Sequence, residues 1–392
     1  MKLLTIIGTR PEAVKMAPVL RELRGRPATT SLLCATGQHR ALCDEPLAFF
    51  GLRADFHLHL MEQGQSLNQL MARALAELDD LLTAERPDRV IVHGDTTTAL
   101  TAALAAFNRR IPVAHVEAGL RTYDPAQPWP EENNRRAIDL IADQLFAPTV
   151  RAARNLAEEK AGGTVTVTGN SGVDALHRVM ERLAGDPALR RSSDSQLPET
   201  SGGRPLILAT FHRRENMGAG VRGICAALLE IAGRGIADVA LPVHPNPAVS
   251  EAVRTQLGGR PGIHLLPPLS QPAMVRMMQR CDLILTDSGG LQEEAPTLGR
   301  HVLVLREVTE RPEAVNAGLA QLTGTCPARI VAGAEAALAR IAATPVRQVV
   351  PNPYGDGRAA SRIVAGLLGE EAEPFDIAPA ALPTPAPLRL AG

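Results

Sequence analysis

Length, composition and charge exclude several classes of protein for this chain. It has 392 residues, of which 45% are hydrophobic and 21% charged, and its formal net charge is −1. This length suits two domains, and the near-zero charge gives no global field that would recruit nucleic acid or an anionic membrane. Five widely spaced cysteines without a Cys-x-x-Cys motif favour reduced thiols over a disulfide framework or a zinc site.

The N-terminal sequence runs directly into a strand pattern, without the basic segment and long apolar run of a signal peptide. No apolar stretch approaches the roughly 20 residues that a membrane span requires. We therefore expect a cytoplasmic protein that does not associate with a membrane.

Short apolar runs alternate with helical patterns along the whole chain. Alternation of this kind predicts βαβ units, and therefore an α/β fold with a mostly parallel, doubly wound sheet in each half. The clearest helical segments are predicted at 11–24, 96–109, 131–142, 173–183, 220–234, 247–257, 272–280 and 330–341.

We expect one domain over residues 1–170 and a second over residues 171–357. Residues 184–204 are polar and rich in helix breakers, which is typical of a linker. Residues 371–392 are rich in Ala and Pro and lack periodicity, so we expect a poorly packed tail there.

In the first half, polar residues follow the apolar strands directly. Residues 8–12 read Gly-Thr-Arg-Pro-Glu, and further strands end at Asp95 and Glu117. In open α/β sheets, ligands bind at the carboxyl ends of the strands. Arg10 and Lys15 bracket a helix N-terminus, where an anion is favoured, although a plain turn with solvated cations remains an alternative.

Four carboxylates of the first half form a candidate acid–base set. They are Asp95, Glu117, Glu131 and Glu132, the last two following a stiff Pro-Trp-Pro loop. Neighbouring carboxylates raise one another's pKa, which lets one stay protonated as an acid while another acts as a base. The alternative for each one alone is a charge at a helix start or in a surface loop.

The second half has a corresponding turn at residues 286–290, Thr-Asp-Ser-Gly-Gly. Its two glycines let the backbone approach a phosphate, and Ser288 adds a hydroxyl donor. Glu294 lies on the same helix face and could accept both ribose hydroxyls. His212 and Arg213 end another strand and suit a pyrophosphate.

Neither a dinucleotide nor a metal site is predicted. Residues 218–223 match Gly-x-Gly-x-x-Gly, but no strand leads directly into them and no acid ends a strand about 20 residues later. His93, His115 and His244 follow strands without a Cys, His or Asp partner set at ligand spacing. We therefore expect no cofactor and no metal.

A series of motifs lies in collinear order along residues 1–368. They are Gly-Thr-Arg-Pro-Glu-Ala-Val-Lys-Met-Ala-Pro at 8–18, His-Gly-Asp-Thr-Thr-Thr at 93–98, His-Val-Glu-Ala-Gly-Leu-Arg-Thr at 115–122, Pro-Trp-Pro-Glu-Glu-Asn-Asn-Arg at 128–135, His-Arg-Arg-Glu-Asn at 212–216, Pro-Val-His-Pro-Asn-Pro at 242–247, Thr-Asp-Ser-Gly-Gly-Leu-Gln-Glu-Glu-Ala-Pro at 286–296, Thr-Glu-Arg-Pro-Glu-Ala at 309–314 and Asn-Pro-Tyr-Gly-Asp-Gly at 352–357. Together they resemble the bacterial non-hydrolysing UDP-N-acetylglucosamine 2-epimerases.

The resemblance implies the glycosyltransferase-B arrangement, in which two Rossmann-like doubly wound domains face a central cleft. A last helix at 358–370 would cross back to the first domain. The catalytic residues that it implies are Asp95, Glu117, Glu131 and His212. The substrate-binding residues that it implies are Arg10, Lys15, Arg135, Arg213, Leu269, Met274, Ser288, Gly289, Gly290, Glu294 and Arg311.

The reaction implied is reversible epimerisation at C2 of UDP-N-acetylglucosamine (UDP-GlcNAc). The C2 proton leaves with UDP to give 2-acetamidoglucal, and UDP re-adds after protonation from the other face to give UDP-N-acetylmannosamine (UDP-ManNAc). The family also implies a homodimer and an activator site, here with Gln38, His39, Glu132 and His244. Phe211 departs from the pattern, because a small glycine is common at that position.

Three other functions share these motifs or this fold. A hydrolysing relative would release free ManNAc and UDP. A non-catalytic sugar-nucleotide-binding protein would be expected to have lost a carboxylate. A glycosyltransferase would need a groove for an acceptor.

Overall fold

The computed structural model describes residues 1–37, 40–62, 64–200, 203–213, 216–244, 247–343 and 351–375. The chain forms two compact units. The first comprises Met1–Arg191, Ser270–Val275 and Tyr354–Phe375, and the second comprises Ser192–Leu269 and Arg276–Pro353. Each unit has its own parallel sheet and its own apolar core.

The first unit contains a sheet of seven strands. They are β1 (Lys2–Ile7), β2 (Thr30–Ala35), β3 (Phe56–His57), β4 (Arg89–His93), β5 (Val113–Val116), β6 (Gln144–Ala147) and β7 (Thr164–Val167). Their order across the sheet is β3-β2-β1-β4-β5-β6-β7, and neighbouring strands are parallel. The strand order reverses between β1 and β4, which is where ligands bind in open α/β sheets.

The second unit contains a sheet of six strands. They are β8 (Leu206–Thr210), β9 (Asp238–Pro242), β10 (Ile263–Leu266), β11 (Leu283–Thr286), β12 (His301–Val304) and β13 (Ala320–Leu322). Their order is β10-β9-β8-β11-β12-β13, again parallel, with the reversal between β8 and β11. The prediction of two Rossmann-like, doubly wound sheets is confirmed.

The helices alternate with the strands as the periodicity predicts. They are α1 (Arg10–Arg24), α2 (Arg40–Phe49), α3 (Leu67–Glu85), α4 (Thr97–Asn108), α5 (Glu131–Ile141), α6 (Val150–Glu158), α7 (Ser171–Gly185), α8 (Pro187–Asp194), α9 (Ala219–Gly233), α10 (Pro247–Leu257), α11 (Gln271–Arg280), α12 (Gly289–Glu294), α13 (Pro312–Asn316), α14 (Pro327–Ala343) and α15 (Ala359–Leu368). Central strands such as β4 and β8 are buried almost throughout, which explains their continuous apolar sequences.

The first unit runs without interruption from Met1 to Arg191. Helices α7 and α15 pack on α1, so both belong to the first unit. Asp174 of α7 also caps α15, since its carboxylate accepts hydrogen bonds from the backbone N–H groups of Ala359 and Ala360 at 3.1 and 2.8 Å.

The segment expected to be a linker is partly helical. Within residues 184–204, α8 begins after Asp186, whose carboxylate accepts hydrogen bonds from Ala188 N at 2.9 Å and Leu189 N at 3.0 Å. An Asp-Pro pair that looked like a helix breaker is therefore a helix N-cap followed by a proline in the first turn.

The beginning of the expected tail is packed. Phe375 is 7% exposed, and the Arg362 guanidinium lies 5.3 Å from the centre of its ring. Residues 376–392 lie outside the described residues. In the part of the chain that the structure describes, no helix is both long and apolar enough to cross a membrane.

Candidate active site

The turn between β1 and α1 is organised by Glu12, a residue that the sequence analysis did not single out. Its carboxylate accepts hydrogen bonds from the backbone N–H groups of Gly8 at 2.8 Å and Thr9 at 2.6 Å. It also accepts one from the Thr96 hydroxyl at 2.9 Å. Burial raises the pKa of Glu12 despite these donors. Glu12 thus ties the turn after β1 to the turn after β4.

Glu117, which follows β5, lies in a buried cluster. Its Oε2 atom pairs with Lys15 Nζ and accepts a hydrogen bond from Asn170 Nδ2 at 2.8 Å. The side chains of Lys15 and Glu117 are each only 7% exposed. The φ angle of Glu117 is 69°, a left-handed conformation that non-glycine residues seldom adopt. Strained backbone and buried charge both concentrate at functional sites.

His93 completes this cluster. Its Nε2 atom lies 3.7 Å from Glu117 Oε2, and neither ring nitrogen has a hydrogen-bond partner within the described residues. Burial lowers the pKa of His93 to about 4, against a smaller opposing effect of Glu117. The imidazole beside Glu117 is therefore neutral at physiological pH.

Asp95, which follows β4, is paired with Arg135 of α5. Its Oδ2 atom accepts hydrogen bonds from Arg135 Nη2 and, at 3.0 Å, from Arg135 Nε. The Asp95 side chain is 23% exposed, whereas that of Arg135 is 2% exposed. The Asn134 amide donates to the Asp95 carbonyl at 2.9 Å. Helix α5 therefore fixes both the backbone and the carboxylate of Asp95.

Glu132 lies behind this pair and is fully buried. Its Oε2 atom accepts from Arg135 Nη1 and from Thr122 N, both at 3.1 Å, and its Oε1 atom accepts from Tyr123 N at 3.0 Å. Both oxygens thus support the protein backbone and Arg135. These contacts are internal to the first unit, and the expected contact of Glu132 with an activator stays a prediction.

The remaining first-unit candidates lie at helix starts. Glu131 is the first residue of α5 and is half-buried. Arg10 is the first residue of α1, and its Nη2 atom lies 3.6 Å from Glu45 Oε2. Gln38 and His39 lie outside the described residues.

In the second unit, Asp287 organises the loop that follows β8. It is fully buried, and its carboxylate accepts hydrogen bonds from the backbone N–H groups of His212 at 3.0 Å and Arg213 at 2.9 Å. It also accepts one from Asn216 Nδ2 at 2.9 Å. Burial alone raises the pKa of Asp287, but the contact with His212 and the backbone donors lower it overall. Arg214 and Glu215 lie outside the described residues.

Asp287 thereby holds the backbone of both His212 and Arg213. The His212 side chain is 39% exposed, and its ring stacks on that of His244 with centroids 5.3 Å apart. Arg213 Nε is buried and has no hydrogen-bond partner among the described residues. A buried guanidinium donor without an acceptor is the kind of group that an anionic ligand satisfies.

The turn after β11 is closely packed against Arg311. Arg311 Nε donates to Glu293 Oε1 at 2.5 Å and Arg311 Nη1 contacts Glu310. A Cβ atom on Gly289 would lie 2.6 Å from Arg311 Cζ, whereas one on Gly290 would meet nothing closer than 3.7 Å. Arg311 was expected near the nucleotide; the structure shows it 5% exposed beneath the turn.

The other residues predicted to bind substrate in the second half differ in their exposure. Ser288 precedes α12 and Glu294 ends it, both partly exposed. Leu269 is buried, and Met274 of α11 is partly buried. No set of three or more His, Cys, Asp or Glu side chains suited to a metal ion occurs within the described ranges.

Comparison with known proteins agrees with this arrangement. A family model described as UDP-N-acetylglucosamine 2-epimerase matches residues 21–368. The chain belongs to the UDP-N-acetylglucosamine 2-epimerase family. The curated UDP-N-acetylglucosamine 2-epimerase of Salmonella typhimurium is 44% identical over 369 residues, covering 94% of this chain and 98% of that protein.

Solved structures of UDP-N-acetylglucosamine 2-epimerases share the fold. That of Neisseria meningitidis, bound to UDP-GlcNAc, is 41% identical with a TM-score of 0.89, over 94% of this chain and 100% of its own. That of Methanocaldococcus jannaschii, in complex with UDP-GlcNAc and UDP, is 31% identical with a TM-score of 0.84, over 94% of this chain and 100% of its own. The family resemblance predicted from the motifs is confirmed.

Proposed function

We propose that this epimerase interconverts UDP-GlcNAc and UDP-ManNAc, and that it does so by eliminating and re-adding UDP. One observation carries the proposal. Two carboxylates, Asp95 and Glu117, follow adjacent parallel strands, and each is paired with a different buried cation, Arg135 and Lys15. Epimerisation through elimination requires two proton-transferring groups that act on opposite faces of C2, and this pair supplies them.

The cations give the two carboxylates different chemistry. Arg135 carries a permanent charge that stabilises ionised Asp95. The Lys15 ammonium bears protons in direct contact with Glu117, so this pair can retain a proton or release one. One carboxylate removes the C2 proton while the other returns a proton to the opposite face, and the roles exchange in the reverse direction. We assign Glu131, on the helix that carries Arg135, as a third acid–base group.

UDP binding is assigned to the second unit. His212, with a half-exposed ring, and Arg213, whose buried Nε has no hydrogen-bond partner among the described residues, suit the diphosphate. Ser288 and the two glycines after it offer hydroxyl and backbone donors, and Glu294 suits the ribose hydroxyls. Donors that stabilise departing UDP and keep it bound are needed, because the same UDP must re-add to the intermediate.

Further assignments follow the family resemblance. Arg10 is assigned to the diphosphate, Leu269 and Met274 to the uracil, and the active protein is assigned as a cytoplasmic homodimer. The presence of Asp95, Glu117 and Glu131 speaks against a non-catalytic binding protein. The collinear motifs favour the non-hydrolysing reaction over release of free ManNAc.

The test is a product analysis by NMR. The protein is incubated with UDP-GlcNAc alone, and Asp95→Asn serves as the control for contaminating activity. The proposal predicts an equilibrium mixture of UDP-GlcNAc and UDP-ManNAc with the parent, approached equally well from UDP-ManNAc. Free ManNAc with stoichiometric UDP as the main product would favour the hydrolysing alternative, and unchanged substrate would contradict the proposal.

A further inference from the structure

His115 of β5 bridges two turns of the first unit from a fully buried position. Its Nδ1 atom lies 2.7 Å from Asp139 Oδ1, and its Nε2 atom lies 2.7 Å from the Gly94 carbonyl oxygen. His115 is 0% exposed and Asp139 is 1% exposed. Asp139 also accepts a hydrogen bond from Gly119 N at 3.3 Å through its other oxygen.

The direction of these hydrogen bonds follows from the groups involved. A carbonyl oxygen only accepts, so His115 Nε2 carries a hydrogen and donates it to Gly94. The 2.7 Å contact with Asp139 also requires a proton between the two atoms, because a nitrogen lone pair facing a carboxylate would be repelled. Burial raises the pKa of Asp139, but His115 and then Arg121 lower it overall.

Asp139 also contacts an arginine, which in turn pairs with a second carboxylate. Arg121 Nη2 lies 2.7 Å from Asp139 Oδ2, and Arg121 donates to both oxygens of Glu159 at 2.9 and 2.8 Å. His115, Asp139, Arg121 and Glu159 thus form a continuous row, in which Glu159 alone is partly exposed. Such a fully satisfied network is rigid, because moving one member leaves another without a partner.

The row ends at the two turns that carry the proposed catalytic carboxylates. Gly94 has a φ of 65°, a conformation that favours glycine, and it immediately precedes Asp95. Gly119 comes two residues after Glu117. The side chain of Asp95 is fixed by Arg135, and the His115 contact fixes the peptide from which that side chain projects.

We propose that His115 and Asp139 are positioning residues for the epimerisation, acting through the Gly94 carbonyl to fix the location of Asp95. The inference rests on the proposed function. Both side chains are fully buried behind the turns, so neither is accessible to a bound substrate. Displacement of a catalytic group by about 1 Å can cost about 10²-fold in rate, so loss of the bridge should lower kcat rather than substrate affinity.

Two variants of His115 separate its contacts. In His115→Gln the side-chain amide can reach the position of Nε2 and donate to Gly94, whereas in His115→Asn it can reach only the position of Nδ1, near Asp139. We expect His115→Asn to lower kcat for UDP-GlcNAc by about 10–100-fold, with KM and the Kd of UDP within about twofold of the parent. His115→Gln should retain at least several-fold more of the parent kcat.

A double-mutant cycle with Asp95→Asn distinguishes positioning from general stability. If His115 acts through Asp95, His115→Asn should change the residual rate of Asp95→Asn by less than about twofold, because coupled residues are not additive. Equal losses in both backgrounds, or equal kcat values for the Asn and Gln variants, would overturn the proposal. Should His115→Asn not fold, Asp139→Asn in the same cycle gives the same two outcomes.

The activity of the parent enzyme distinguishes failure of the proposed function from failure of this inference. An inactive parent contradicts the epimerase proposal itself. An active parent with additive variants contradicts only the positioning role of His115 and Asp139.

Discussion

Lys15 Nζ and Glu117 Oε2 form an ion pair that is almost completely buried. Lys15 lies on α1, after the turn that was expected to bind the nucleotide, but its ammonium reaches across to the end of β5. Removing one partner of a buried pair leaves an uncompensated charge. Lys15 therefore stabilises the ionised form of Glu117, and its expected contact with the nucleotide stays a prediction.

Lys15→Met should lower kcat by about 10²-fold, because Glu117 loses the cation that stabilises its ionised form and supplies its proton. The loss should be greatest at low pH, where a buried carboxylate without a cation is protonated first. Steady-state rates between pH 6 and 9 measure this effect. Lys2→Met is the matched control, since it breaks a partly exposed pair with Glu85 at 2.8 Å and should leave kcat and its pH profile unchanged.

Replacing a proton-transferring carboxylate should reduce turnover without abolishing nucleotide binding. Asp95→Asn, Glu117→Gln and Glu131→Gln should each lower kcat by about 10²–10⁴-fold, while calorimetry finds UDP affinity within about threefold of the parent. Glu158→Gln, at an exposed position, is the control. Near-normal turnover in Glu131→Gln would show that Glu131 is only a favourable charge at the start of α5.

Two adjacent glycines in the second unit should differ in what they tolerate. Gly289→Ala would place a Cβ atom 2.6 Å from Arg311 Cζ, and such overpacking costs about 1–3 kcal/mol. Gly290→Ala meets only ordinary contacts, the nearest at 3.7 Å. We expect both to weaken UDP binding, but only Gly289→Ala to lower the Tm of the free protein. A lower Tm in Gly290→Ala alone would contradict the packing of Arg311 beneath this turn.

The buried neutral His93 should make the protein sensitive to acid. Its pKa is lowered by burial from 6.5 to about 4, so below pH 6.5 the unfolded chain binds a proton that the folded chain does not. Stability is therefore fully present above about pH 6.5 and is lost as the pH falls towards 4, by about 2 kcal/mol between pH 7 and pH 5.

Removing the imidazole should remove that part of the pH dependence. The fall in Tm from pH 7 to pH 5 should be smaller in His93→Asn than in the parent, although His301, with a pKa also lowered to about 4 by burial and Arg340, keeps some of it. His59→Asn, at an exposed position, should fall like the parent. An unchanged fall in His93→Asn would mean that folding does not lower the pKa of His93.

The sequence predicted the alternation of strands and helices well, because buried parallel strands have continuous apolar sequences. The assignment of α7 to the first unit depends on its packing against α1, a tertiary contact that no local pattern reveals. The helix α8 was missed for a different reason, since Asp186 and Pro187 serve equally well as a breaker and as a helix start.

At the site, the positions after the strands were predictable but the pairings were not. The motifs singled out Asp95, Glu117 and Arg135 individually, and only the folded chain shows that Arg135 pairs with Asp95. Glu12 carried a signal that could have been recognised, because Thr-x-x-Glu at 9–12 is a capping box. Asp139 carried none, because an acid within an amphipathic helix is normally solvated.

The most direct test of the account follows deuterium at C2 of the sugar. The protein is incubated with UDP-GlcNAc in deuterated water, and both sugar nucleotides are recovered at equilibrium and examined by NMR. Because a protein carboxylate removes the C2 proton and exchanges it with solvent, UDP-GlcNAc and UDP-ManNAc should both carry deuterium at C2. Epimerisation without incorporation of solvent deuterium into either product would contradict the elimination mechanism and the acid–base roles of Asp95 and Glu117.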